Sequence, residues 1–317
     1  MKNHISLFIF AIALLSGPVS ANDLSMTAVK DTLASIPGEH NYIYVRTPLG
    51  EDEEKNYDEI TFYDGLGREL DFAQSYGADR AGAIMAHHHL IEYDSLGRKE
   101  KQWLSTNTSF SYMSPEDLKG GVLWDYHDAG KRSYLQTNYE SSPLNRITEQ
   151  YGVGDAWGDH PARMEYLTNI PADSLRCSFY FIDDNDSLIR RGDYRSGELQ
   201  VTKATDEYGK PTYTFVDKQG RTLLTRLGRG NQQADTYFVF DRFGRIRYVL
   251  PPMINDEISA GNLDLYAYQY LYDSFGRCIS KKLPGCAAIG YVYDKADRVI
   301  LSQNGNQSQK KEWTFTF

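Results

Sequence analysis

The sequence predicts an all-β protein, an elongated, coiled, antiparallel sheet of stacked β-hairpins with few helices. Three observations carry that expectation. Asp-x-x-Gly followed by Arg or Lys recurs at Asp64-Gly67-Arg68, Asp94-Gly97-Arg98, Asp206-Gly209-Lys210, Asp217-Gly220-Arg221, Asp241-Gly244-Arg245 and Asp273-Gly276-Arg277. Composition alone predicts roughly 0.4 such matches, so the pattern is an internal repeat. Tyrosine, at 24 residues, exceeds phenylalanine and tryptophan together (14 and 4), and 26 glycines accompany it, a balance that suits strands and turns. No stretch sustains helical periodicity; only Leu24 to Ser35 reads as a short helix.

In chain order, the first element is a leader. Lys2 and His4 precede an apolar run from Ile5 to Leu15, and Val19-Ser20-Ala21 places small residues where signal peptidase needs them. The run is too short to span a bilayer. We expect residues 1–21 to be a signal peptide cleaved after Ala21, an exported product (secreted, held at the cell surface, or periplasmic), and no membrane span after removal. Residues 22–160 then read as an N-terminal β domain with the Asp64 and Asp94 motifs, and residues 161–317 as a β-sheet carrying the rest.

Each motif has a turn's chemistry. Asp at position i of a type I turn caps the backbone with its side chain, and Gly at i+3 supplies a positive φ, as in a hairpin closed by a bulge. A degenerate copy, Asp294-Lys295-Ala296-Asp297-Arg298, replaces Gly with Asp, which tolerates the left-handed region. Residues before the turns alternate like strands: Tyr266, Tyr268, Tyr270 and Tyr272 fall on one face. Tyr63, Tyr93, Phe240, Tyr272 and Tyr293 immediately precede their Asp, and stacked hairpins would bring them into an aromatic ladder worth roughly 0.2–1 kcal/mol per pair. Cys177, Cys278 and Cys286 are an odd number and form no disulfide framework; free, mostly buried thiols are expected, with Pro284-Gly285 at the centre of a type II turn.

Charge and motif content exclude several functions. Lys plus Arg number 34 against 43 Asp plus Glu, a net charge of −9 that lacks the basic footprint of nucleic-acid binding. His87 and His89 share a strand face while His88 points away, which gives two ligands where a structural zinc site takes four. Asp183-Asp184-Asn185-Asp186-Ser187 fails as a calcium loop because Leu188 stands at the sixth position and Tyr194 at the twelfth; a solvated hairpin turn suits it better. Nucleophile elbows, zincin helices, Cys-x-x-Cys and phosphate loops are missing from the sequence. No catalytic, cofactor-binding or metal residue is assigned, and the chain reads as non-enzymatic.

Tyr63-Asp64-Gly65-Leu66-Gly67-Arg68, Tyr93-Asp94-Ser95-Leu96-Gly97-Arg98 and Tyr272-Asp273-Ser274-Phe275-Gly276-Arg277 resemble the YD repeats of secreted bacterial RHS proteins. Asn41-Tyr42-Ile43 ahead of the Tyr63 motif is similar to the uncharacterised N-terminal domain that precedes YD repeats in one group of them. Ser141-Ser142-Pro143-Leu144-Asn145-Arg146 and Gly154-Asp155-Ala156-Trp157 are similar to a following segment, and Val249-Leu250-Pro251-Pro252 continues the likeness. The resemblance implies a hollow β-shell around a C-terminal, toxin-like effector freed by aspartates in Asp-Pro motifs. This sequence holds no Asp-Pro and stops at Phe317, so core and effector are expected to be missing and the chain to be the leading, truncated part of such a shell. The implied partner is that C-terminal core and effector, or a separate chain. The alternative is a cell-surface glycan-binding or adhesion module that uses exposed Tyr and Trp, Trp124 and Trp157 among them.

Overall fold

The computed structural model describes residues 33, 36, 40–48, 56–78, 83–127, 130–228, 233–254 and 256–316. The leader, its cleavage point and, apart from Leu33, the expected helix over 24–35 lie outside the described residues. The chain divides into two compact units, one of residues 1–145 with 150–159 and one of 146–149 with 160–317.

In the first unit β1 (Asn41–Pro48), β2 (Asn56–Tyr63), β3 (Glu69–Ala78) and β4 (Ile84–Tyr93) pair antiparallel in order. The ladder then forks: Met85–His88 of β4 pair with β6 (Thr106–Ser109), and Ile91–Tyr93 pair with β5 (Lys99–Trp103), which leads to β7 (Tyr134–Tyr139). Side chains alternate in and out along these strands, so Ile60, Phe62, Ala73, Ile84 and Ala86 line one buried face, joined by Phe110. Each large side chain among them contributes roughly 1.5–3 kcal/mol by leaving water.

β8 (Ile147–Tyr151) has residues in both units. In the second unit β9 (Ala162–Thr168) pairs with β12 (Gln200–Thr205), and the ladder continues through β13 (Pro211–Val216), β14 (Thr222–Leu227), β15 (Ala234–Phe240), β16 (Ile246–Leu250), β17 (Tyr268–Tyr272), β18 (Cys278–Lys282), β19 (Ile289–Tyr293), β20 (Val299–Gln303) and β21 (Thr314–Phe315). Every pairing is antiparallel, the arrangement expected of stacked hairpins. A separate hairpin, β10 (Ser178–Ile182) with β11 (Leu188–Asp193), packs on the sheet. Cross-strand partners Phe215, Leu224, Tyr237 and Leu250 form one buried row, and Tyr180 and Leu188 of that hairpin belong to the same core. The Tyr180 and Tyr237 rings meet edge-on at 4.9 Å.

Among the described residues three helices lie between strands: α1 (Pro115–Asp125), α2 (Ala260–Tyr266) and α3 (Gly305–Lys310). α1 begins at Ser114, whose hydroxyl accepts from the Asp117 amide, with Pro115 at its first position. Only Leu118 and Val122 of its 11 residues are buried, which is why no helical period stood out. α2 corrects the expected four-tyrosine strand: Ser259 caps a helix that ends on Tyr266, leaving Tyr268, Tyr270 and Tyr272 to β17. The cysteines also depart from expectation. All three are free, but Cys177 alone is buried, Cys278 is half-buried, and Cys286 is exposed because it closes the Leu283–Cys286 turn, its amide 3.1 Å from the Leu283 carbonyl.

Candidate functional site

The feature most often repeated is the turn. At Asp94 the backbone amide donates to the Arg98 carbonyl (2.9 Å) and the Gly97 amide returns a bond to the Asp94 carbonyl (3.0 Å). Asp94 Oδ1 accepts from the amides of Leu96 and Arg98, both at 2.9 Å, and Oδ2 accepts from Arg98 Nε at 2.7 Å. Gly97 has φ +80°, a conformation costly for residues with a Cβ. The same bonds form at Asp64, Asp217, Asp241, Asp273 and Asp294. At the degenerate copy Asp297 takes φ +60°, and at Asp183 the turn closes with Asp186 at φ +65°, a hairpin turn as read from its sequence. Ser142-Pro143-Leu144-Asn145 is a further copy that pattern-matching missed: the Ser142 hydroxyl takes the Asp role toward the Leu144 amide and Asn145 has φ +54°.

Turns are joined by arginine rather than by ring-on-ring contact. Arg68 lies 4.4 Å over Tyr93, Arg98 4.6 Å over Tyr139, Arg245 4.8 Å over Tyr272 and Arg277 5.1 Å over Tyr293. Each tyrosine hydroxyl then donates to the carbonyl just after the Arg that stacks on it: Tyr93 to Glu69, Tyr139 to Lys99, Tyr272 to Ile246 and Tyr293 to Cys278, at 2.7–3.0 Å. Arg98, Arg245 and Arg277 also reach forward with Nη1 to the backbone carbonyl of Glu140, Asp273 and Asp294. Each guanidinium thus chelates its own turn and covers the next ring, and those of Arg98, Arg245 and Arg277 also tie the next turn's backbone. The expected aromatic ladder is an alternating guanidinium–aromatic one, because the Arg side chain fills the space between successive rings.

A bulge accompanies each of these hairpins. The register shifts between the second and first residues before Asp at Phe62/Tyr63, Glu92/Tyr93, Phe215/Val216, Val239/Phe240, Leu271/Tyr272 and Val292/Tyr293. The Asp206 turn, which ends in Lys210, joins β12 and β13 with no shift. Bonding lowers the motif carboxyls. The amides of Arg68 and Arg98, then their guanidinia, hold Asp64 and Asp94 below the ordinary carboxylate range; at Asp241 burial works against this and the Arg245 bonds prevail.

Three buried polar centres stand apart from the ladder. His88 lies with Nδ1 2.6 Å from Asp71 Oδ2 and Nε2 2.9 Å from the Ser109 carbonyl, while the other Asp71 oxygen has no hydrogen-bond partner. His87 and His89 occupy the other face, stacked on Tyr76 and tilted against Phe72. Arg226, 2% exposed, forks onto Asp235 (2.7 and 2.6 Å) and donates to the Ser174 and Arg176 carbonyls. Arg46 forks onto buried Asp58, which also accepts from Tyr44 and pushes its hydroxyl up to about 12 together with burial, the larger cause. Among the described residues no three His, Cys, Asp or Glu side chains converge as a metal site would need. Trp124 is exposed at the end of α1, and Trp157 lies on a short 3-10 turn packed beside Gly152.

The fold and these turns define a class: in each unit, stacked β-hairpins joined by a repeated unit of Asp, Arg and an aromatic ring. Comparison with known proteins agrees with that class. Residues 41–168 match the family described as a domain of unknown function, DUF6443. No curated protein matches the chain. Among solved structures, TcdB2-TccC3 shares the fold at TM-score 0.53 and 13% identity over 90% of this chain and 14% of that one. TcdB2-TccC3-Cdc42 does so at 0.53 and 14% over 84% and 12%, and the Photorhabdus luminescens Tc holotoxin pore at 0.53 and 12% over 84% and 12%. The chain therefore spans about an eighth of the length of those relatives. The family model covers residues 41–168 and the solved structures show the shared fold. Among the described residues no helix is long and apolar enough to cross a membrane.

Proposed function

We propose that the chain is a non-catalytic, exported scaffold, the leading part of an RHS/YD-repeat shell that encloses or presents a C-terminal, toxin-like effector. The observation that carries this reading is the guanidinium–aromatic ladder, which spends the repeated Asp, Arg and Tyr side chains on joining hairpins and leaves them no chemistry to perform. The shared fold with TccC3-containing assemblies, one of them solved without its hypervariable C-terminal region, supports the same reading. The test is co-expression with the polypeptide encoded downstream. Co-purification with protease protection of that polypeptide is expected, and its free digestion beside the intact chain would count against the shell. Export is tested by N-terminal sequencing of exported protein, which should begin at Asn22.

A second reading rests on Trp124, the most exposed large hydrophobic side chain among the described residues at 83%. A bare indole on a helix end suits stacking on a sugar face. Glycan-array binding abolished by Trp124→Ala would favour an adhesion module over the shell.

A further inference from the structure

The sheet of the first unit opens where its ladder forks. β6 pairs with β4 as far as His88, opposite Thr106, and β5 takes over at Ile91, opposite Gln102. Between them His89 and Leu90 pair with neither strand, while Phe72 and Asp71 of β3 lie opposite them on the other side. The fork leaves a cavity of about 340 Å³ whose lining includes Glu69, Phe72, His89, Ile91 and Gln102. That volume falls in the range of small-molecule sites. Phe72, His89 and Ile91 share the sheet face opposite the buried Ala73 and Ala86, so the cavity belongs to the outer side.

The polar groups around it are unspent. Among the described residues neither the His89 ring nor the Gln102 side-chain amide makes a hydrogen bond, and Glu69 uses only Oε2, which accepts from Lys99 Nζ at 2.9 Å. Burial, the largest cause, holds the His89 imidazole below its ordinary value against the pull of Asp71, so at neutral pH the ring is uncharged and offers one donor and one acceptor. The Phe72 ring, 6.3 Å from that of His89 and tilted 35° to it, adds an apolar wall with Ile91.

We propose that this cavity binds a neutral saccharide, one ring of which enters it. A sugar hydroxyl both donates and accepts, so two adjacent hydroxyls satisfy the imidazole and the amide and still supply a proton to the Glu69 carboxylate. The apolar C–H side of the ring then lies against Phe72. Charge and desolvation select against other occupants. Glu69 repels phosphate, sulfate and uronate groups, and its Lys99 partner offsets its attraction for a cation. A lipid chain would strand the imidazole and the amide without partners. The inference goes beyond the scaffold reading, and it shares a ligand class with the adhesion reading but not its site.

Titration of the full chain with the methyl glycosides of glucose, galactose, mannose and N-acetylglucosamine, followed by saturation-transfer NMR, tests it. At least one glycoside should bind with millimolar affinity, and His89→Ala and Gln102→Ala should each weaken it roughly tenfold. Neither residue belongs to the core, so thermal midpoints should hold. His87→Ala should leave binding unchanged, because that ring stacks on Tyr76 away from the cavity lining. Silence from every glycoside, binding indifferent to both cavity variants, or a preference for glucuronate over methyl glucoside overturns the site. Loss on Trp124→Ala in place of His89→Ala also overturns it and favours the adhesion reading, and effector co-purification remains a separate readout for the shell.

Discussion

Asp241 shows what one motif residue contributes. Its carboxylate is buried, holds the Phe243 and Arg245 amides at 2.9 Å and takes Arg245 Nε at 2.7 Å. Asp241→Ala strands both amides and a guanidinium, and is expected to cost about 2–3 kcal/mol in urea unfolding. Because Asp64, Asp94 and Asp241 are held low in the folded state, they stabilise it at pH above the ordinary carboxylate value near 4, and that contribution fades as pH falls through their lowered values. Thermal midpoints measured across pH should therefore drop on the acid side, and Asp241→Asn should make that limb shallower. His88 stands by a different rule. Removing it leaves the Asp71 carboxyl buried without that hydrogen bond, so His88→Ala is expected to cost about 1–3 kcal/mol by the same unfolding measurement.

At the scale of the element, the ladder unit is a turn, a guanidinium and the next ring. Phe240 is a natural control, for Arg221 stacks 5.2 Å over it although it has no hydroxyl to donate. Tyr272→Phe should accordingly cost only about 1 kcal/mol, the worth of the bond to the Ile246 carbonyl, while Arg245→Lys should cost more by losing the fork to Asp241, the stacking and the reach to Asp273. A double-mutant cycle between Arg245 and Tyr272 would measure their coupling. The turns were legible because Asp and Gly act locally, through amides two to four residues away. The Ser142 copy was hidden because Ser and Asn achieve the same geometry with other letters. The helices were hidden for a related reason: α1 is announced by Ser114-Pro115 but buries only two side chains, too few to impose a period.

Across the molecule, burial sorts groups that look alike in sequence. Burial pushes the Cys177 thiol far up, whereas Cys286 faces solvent. Alkylation of the native protein should label Cys286 within minutes and Cys177 only on unfolding. The two hairpin kinds in the second unit are sorted likewise. β10–β11 shares the turn chemistry of the ladder, yet its Asp186 ion-pairs with Arg247 of β16 and its Tyr180 enters the core.

The repeat, the all-β character and the turn sites could be read from the chain alone, since each rests on contacts within five residues and on a period of two. Tertiary structure decided what the repeated side chains do to one another. Whether Tyr93 meets a ring or a guanidinium and whether His88 faces a metal or Asp71 depends on strands brought together from 17 or more residues apart. Leu66, Leu96 and Leu144 follow the same division: each is plain in the sequence as the third residue of its turn, and only the pairing of β3 with β4 and of β5 with β7 brings those turns side by side.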